Sequence, residues 1–322
     1  MKKLVSVLLV SLMILTAFAF TGCSKSDADL RLGLGLYTTT AVTDATEDKD
    51  GQGQAAVTAA AVLVDADGKI VRAFIDCADN KVGYTAGGKA VANDSFTTKY
   101  EAGKEYNMVA YGGAVKEWYE QADAFCALIV GKTAAEVKAL VTDAGTGTDD
   151  VINAGCTIAI SEFAYAVDRA IANATVTGAS SADTLKLGIS TAQTTADATE
   201  DKAGSNKVET TFFAAAVGAD GKVTAASSDC VEVTFGFDTA GKSTFDTAKA
   251  VQSKKEQGDA YGMKAYGGAA KEWYEQAAAF DAACVGKTAA EISGFADGNA
   301  DLQAAGCTIA VTGFAKAAAK IG

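Results

Sequence analysis

The side chains able to do chemistry here are seven cysteines, several clustered carboxylates, and two threonines in matching settings. Thr157 closes the string Ala154-Gly155-Cys156-Thr157, and Thr308 closes Ala305-Gly306-Cys307-Thr308. Tyr111-Gly112-Gly113 leads into Trp118, and Tyr266-Gly267-Gly268 leads into Trp273. Glycines there would let a ligand approach the backbone, and a helix start beside a threonine suits a phosphate. The same residues also fit plain packing, with the tryptophans as core knobs, the glycines shaping a loop and Thr157 as a cap. The chain has no histidine, which removes the commonest general base and metal ligand. Ser-His-Asp hydrolysis, Cys-His proteolysis and a His-ligated metal are therefore excluded. Asp44, Glu47, Asp48 and Asp50 fail as a calcium loop, because Val57 stands where Gly51 would require a glutamate. They read as a solvated acidic loop. No zinc-type cysteine spacing occurs, so no metal site is expected.

One cysteine has a distinct setting. Lys2 and Lys3 precede an apolar run from Val5 to Phe20, followed by Thr21-Gly22-Cys23. Small residues before a cysteine at the end of a short apolar run resemble the bacterial lipobox. The run is short for a spanning helix. Residues 1–22 are thus expected to be a lipoprotein signal peptide, with lipid on Cys23 and a polar tether over 23–30. Acyl chains contribute roughly 0.8 kcal/mol per buried CH₂, so a multiply acylated cysteine is a durable anchor. The expected location is the extracytoplasmic face of the cell membrane. A net charge of −12 argues against nucleic acid and against direct attraction to anionic lipid, leaving the anchor as the membrane contact.

What must position the other residues is a duplicated unit. Ala45–Lys49 (ATEDK) recurs as Ala198–Lys202, Lys116–Ala122 (KEWYEQA) as Lys271–Ala277, and Val130–Glu136 (VGKTAAE) as Val285–Glu291. The order never changes. This predicts two homologous domains, 31–172 and 184–322, joined by an Ala/Ser/Thr-rich flexible linker over 173–183. Asp65-Ala66-Asp67-Gly68 between apolar runs predicts a β-hairpin, and Ala219-Asp220-Gly221 repeats it. Trp118, Ala122, Phe125 and Ile129, and their counterparts Trp273, Ala277, Phe280 and Cys284, form an apolar stripe at helical period. Thr133 with Glu136 and Thr288 with Glu291 resemble capping boxes. Strands first and helices after predict an α+β fold, each domain an antiparallel sheet followed by packed helices. Cys77 corresponds to Cys230 and Cys156 to Cys307, so an exported chain could form Cys77–Cys156 and Cys230–Cys307 disulfides; buried free thiols are the alternative. Cys284 replaces Ile129 and reads as core. Cys126 replaces Asp281 and is expected nearer solvent.

In order and spacing each half resembles the FMN-binding domain of bacterial surface flavoproteins: a strand pair carrying D-x-D-G-K, a GG segment, an aromatic helix ending in V-G-K-T, then G-x-T before a terminal helix. The resemblance implies FMN esterified through its phosphate to Thr157 and Thr308, with Gly112, Gly113, Gly267 and Gly268 near the cofactor and Trp118 and Trp273 stacking on the isoalloxazine. Thr177-Gly178-Ala179-Ser180 is a competing match to the acceptor string. Two functions follow as expectations. One is a non-catalytic lipoprotein whose paired domains bind an envelope or surface protein. The alternative is a flavin-carrying extracellular electron-transfer protein with a redox partner.

Overall fold

The computed structural model describes residues 30–322; the signal peptide, Cys23 and most of the tether lie outside the described residues. The first domain runs β1 (Leu30–Thr43), β2 (Gly51–Val64), β3 (Ile70–Tyr84), β4 (Ala90–Val91), α1 (Lys99–Ala102), α2 (Trp118–Ile129), α3 (Ala134–Lys138), α4 (Asp149–Ala154) and α5 (Ser161–Ala172). After β5 (Val176–Ala179) the second domain follows the same plan: β6 (Thr184–Ala196), β7 (Gly204–Val217), β8 (Val223–Phe237), α6 (Lys254–Gln257), α7 (Trp273–Cys284), α8 (Ala289–Ser293), α9 (Ala300–Ala305) and α10 (Thr312–Ala319). The fold is α+β, as expected, with an antiparallel sheet ordered β4-β3-β2-β1-β5 and another ordered β6-β7-β8. Among the described residues no helix is long and apolar enough to cross a membrane.

The near-continuous apolar run of β2 follows from burial on both faces. Val57, Ala59, Ala61 and Leu63 face the other domain's sheet, while Ala60, Val62 and Val64 face α2 and α5. In β7, Phe212, Ala214 and Ala216 join that same inter-sheet core, and Phe213 and Ala215 pack against α7 and α10. The two sheets therefore lie face to face, with helices outside each. Gly53 is one reason they approach so closely. A Cβ there would stand 2.4 Å from the Phe235 ring. Gly33 and Gly35 serve the outer face of the first sheet, where a Cβ would strike the α5 backbone at Ala170 O (1.9 Å) and Ala166 O (2.2 Å). Gly188 repeats this against Ala317 O of α10 (1.9 Å).

The segment 173–183 is not a flexible tether. Val176 and Ala179 pair with Leu32 and Leu30 of β1, the Ser180 amide donates to Asp183, and the Arg72 guanidinium donates to Ser181 O. Its alternation of Thr and Val suits an edge strand better than composition suggests.

The repeated ATEDK loops are clasps between the domains. Ala45 N donates to Gly241 O and Ala198 N to Gly88 O, both at 2.8 Å. Asp44 accepts from Ser243 N, and Asp197 accepts from Ala90 N and pairs with Lys89. Tyr84 and Phe237 stack at 4.7 Å where the clasps meet.

Candidate functional site

The repeated KEWYEQA string is read most clearly through what each side chain touches. Glu117 opens α2, and its carboxylate accepts from Met108 N (2.9 Å) and Val109 N (3.3 Å), folding the Tyr-Gly-Gly loop back onto the helix start. Glu120 accepts from Glu117 N to complete a capping box. Trp118 and Ala122 enter the core. Gln121 is buried; it donates to Lys116 O, and its Oε1 accepts from both Thr157 N (2.8 Å) and Thr157 Oγ1 (3.0 Å). The second copy repeats the set: Glu272 holds Met263 N and Lys264 N, and Gln276 holds Thr308 N and Oγ1, both at 2.8 Å. Gly155 and Gly306 end α4 and α9 in the left-handed region, beneath the Lys116 and Lys271 ammonium groups. The Gly-Cys-Thr string thus combines a helix C-cap, a core thiol and a threonine held by glutamine.

The sequence-predicted site residues are only partly brought together. Thr157 and Thr308 are exposed, but their hydroxyls are engaged by Gln121 and Gln276. Gly112, Gly113, Gly267 and Gly268 are exposed and shape loops whose tips present Tyr111 (88 % exposed) and Tyr266 (91 %). Trp118 and Trp273 are 5 % and 4 % exposed. Trp118 meets the Phe163 edge at 5.6 Å, so the tryptophans are core residues with one side toward a cleft and not open stacking platforms.

All six described cysteines are buried and unbridged. The expected exposure of Cys126 is wrong: it is 8 % exposed, and the matching Asp281 is buried too, accepting from Ser228 N (3.1 Å) and Lys255 Nζ (3.4 Å). The inward face of the helix is kept, and the second domain fills it with a carboxylate whose partners it supplies. Burial pushes the Cys77 thiol up to about 12 and Cys156 up to about 11, and raises Cys126, Cys230, Cys284 and Cys307. These are protonated core thiols, not nucleophiles.

Between the sheet, the aromatic helix and the start of the last helix each domain has a cleft, at matching positions. In the first domain it has a volume of about 380 Å³ and is lined by Thr58, Cys77, Lys99, Trp118, Glu162 and Phe163, among others. In the second it is about 220 Å³, with Thr211, Cys230, Trp273, Gly313 and Phe314 in the corresponding places. Sequence reading missed the lysine beside each tryptophan, of which Lys99 lines its cleft and Lys254 does not. Lys99 Nζ lies 5.5 Å from the Tyr106 ring and 5.8 Å from Trp118; Lys254 Nζ lies 5.4 Å from Tyr261 and 5.7 Å from Trp273. The available signal was the repeated cap: Thr98 and Ser253 each form a capping box with a glutamate three residues on, and the lysine follows the cap directly.

The clefts differ in charge. Lys254 is 6 % exposed and ion-paired with Glu232 (3.4 Å) and Glu209 (3.6 Å). Burial pulls its pKa down, but Cys230, Glu209, Tyr261 and Glu232 together outweigh this and raise it. Ala56 replaces Glu209 in the first domain, and Asp79, in place of Glu232, turns to Gln54 and Lys81. Among the described residues, none of the ion pairs formed involves Lys99. Glu162 is likewise particular to the first domain; its Oε2 accepts from Thr58 Oγ1 at 3.0 Å. Its counterpart Gly313 leaves no room for a side chain, since a Cβ would stand 2.7 Å from Thr211 Oγ1. Among the described residues no group of Asp, Glu or Cys is arranged to hold a metal.

No protein-family model matches the chain, and neither a curated protein nor a solved structure is similar to it.

Proposed function

We propose that this chain is a lipoprotein carried on the extracytoplasmic face of the cell membrane by acylated Cys23, and that its two domains act as one rigid, non-catalytic binding unit. The leader Lys2-Lys3, the apolar run Val5 to Phe20 and Thr21-Gly22-Cys23 support the address. The observation that carries the binding role is the pair of clefts at matching positions, the first of them lined by the Lys99 ammonium beside the Trp118 ring. Concave sites with apolar walls and a few placed polar groups are the usual form of small-molecule sites. The lack of histidine and the raised thiols favour binding over catalysis.

Two measurements test this reading. Alkyne-palmitate labelling with membrane fractionation should place the chain in the membrane, and Cys23→Ser should abolish both label and membrane retention. Trp118 fluorescence in a Trp273→Phe background should respond to a ligand in a metabolite screen. A soluble, unlabelled wild-type chain would refute the address, and a silent screen at Trp118, and at Trp273 in the reciprocal Trp118→Phe background, would refute the binding role.

The exposure of Thr157 and Thr308 favours a second reading, FMN esterified at both. It requires each hydroxyl to leave its glutamine. Co-expression with a flavin transferase should then add one FMN mass per domain, and an unmodified mass refutes it.

A further inference from the structure

Building on the binding role above, we infer that the first domain's cleft takes a free amino acid with an apolar side chain, and that the second domain's cleft does not. The argument is one of charge complementarity. A half-buried ammonium beside aromatic rings with no carboxylate partner attracts an anion. The second domain provides the comparison: there the equivalent Lys254 is satisfied internally by Glu209 and Glu232. At Lys99 those two carboxylates are absent or turned away, so the place they fill is open to a carboxylate brought from outside.

The opposite charge in the same cleft is Glu162. One of its oxygens accepts from Thr58, and the other has no partner among the described residues. Lys99 and Glu162 both line the cleft, yet among the described residues they form no ion pair with each other. A ligand carrying a carboxylate and an ammonium a few bonds apart satisfies both. The apolar part of the wall includes Met108, Trp118, Ile158 and Phe163, which suits an apolar side chain. Ligand pockets commonly run from roughly 300 to 1,000 Å³, and a cleft of about 380 Å³ belongs at the small end, matching a single amino acid better than a polymer. In the second domain Gly313 replaces Glu162 and Lys254 is already paired; the charged residues lining its cleft are Lys207, Glu209 and Lys316, and the one carboxylate among them, Glu209, is already held by Lys207 and Lys254.

The test is calorimetric titration of the full chain in detergent with L-phenylalanine, L-leucine and L-methionine, and with two analogues each lacking one charge, 3-phenylpropionate and phenethylamine. At least one amino acid should bind with one site per chain. Both analogues should bind at least tenfold more weakly than L-phenylalanine. Lys99→Gln and Glu162→Gln should each weaken amino-acid binding at least tenfold while keeping a cooperative unfolding transition, and Lys254→Gln should leave affinity within twofold. Two sites per chain, equal binding of either analogue, indifference to both first-domain variants, or no binding of any of the three amino acids would each overturn the inference. A non-zwitterionic ligand found at Trp118 in the metabolite screen would overturn it too, while leaving the binding role intact.

Discussion

Phe235→Ala is the sharpest probe of whether the two domains are one folding unit. Phe235 belongs to the second domain, is fully buried, packs against Phe245 at 4.8 Å and lies over Gly53 of the first. Truncating a buried phenylalanine costs about 3–5 kcal/mol through lost transfer energy and the cavity left behind. Neither neighbour can fill the space, since Gly53 has no side chain and Phe245 already sits beside the ring. Were the sheets independent, the loss would fall on the second domain alone. A core shared by β1–β3 and β6–β8 requires it to fall on both. The assay is urea unfolding followed by Trp118 fluorescence, with Phe235→Ala and its reference both in a Trp273→Phe background so that the cost of that change cancels. With an m-value of about 3 kcal/mol/M, the Trp118 midpoint should drop by about 1 M or more. Trp118 reports the first domain, far in sequence from the mutation. An unmoved Trp118 midpoint, or a second transition at the original position, would refute the shared core.

Three further outcomes can be checked by denaturation. Gln121→Ala should destabilise by about 1–3 kcal/mol, because Thr157 N, Thr157 Oγ1 and Lys116 O all lose their partner; Thr157→Val should cost less, since the backbone bond to Gln121 survives. Gly188→Ala should cost about 1–3 kcal/mol by pushing α10 off the sheet, and a neutral effect would mean the helix is free to retreat. Burial lifts Asp76 from 3.8 to about 6, with the Thr98, Tyr100 and Cys77 bonds opposing, so the native state holds a proton that the unfolded chain releases between those values. Its contribution to stability therefore falls as pH rises through this window, and Asp76→Asn should gain on wild type by up to roughly 3 kcal/mol from about pH 4 to 6 and stay level above; a difference independent of pH would contradict this.

Much of the fold was legible because its signals are local. The Asp65–Gly68 turn, the capping boxes at Thr133 and Thr288, and the stripe from Trp118 to Ile129 each lie within a few residues and act there. What sequence reading missed depends on distant partners. Gly33 and Gly35 stand at the entry to β1, but that α5 needs their space is signalled by nothing near them in the sequence. Residues 176–179 look like linker until β1 offers an edge. Burial of Cys126 follows from its helix face, whereas substitution by aspartate in the other copy suggested solvent; the Ser228 and Lys255 contacts that make a buried carboxylate tolerable lie far away in sequence. The candidate site was least legible of all. Lys99 is one lysine among many, and only the fold sets it beside Trp118 and across the cleft from Glu162.

The contacts between the halves are reciprocal, which bears on how the clefts came to differ. Arg169 of α5 pairs with Glu256 at 2.9 Å, and the matching Lys320 pairs with the matching Glu101 at 2.6 Å. The two clasp bonds exchange in the same way. Such exchange is the mark of an isologous interface, in which each half offers the other the same patch. The exposed ion pairs contribute roughly 0–1 kcal/mol each, so the adhesion resides in the apolar core between the sheets. Joining the halves in one chain makes their association intramolecular and frees each position from its symmetry mate. In a homodimer a phenylalanine at the position of Val82 would appear twice, and a glycine at the position of Asn206 would have to face each copy. In this chain one Phe235 covers one Gly53, while Asn206 donates instead to Gly83 O. The same freedom acts at the clefts: Glu209 and Glu232 close around Lys254, and Ala56 and Glu162 leave Lys99 open and opposed by a carboxylate. Duplication thus retained the scaffold of both halves and left two unlike charge patterns within it.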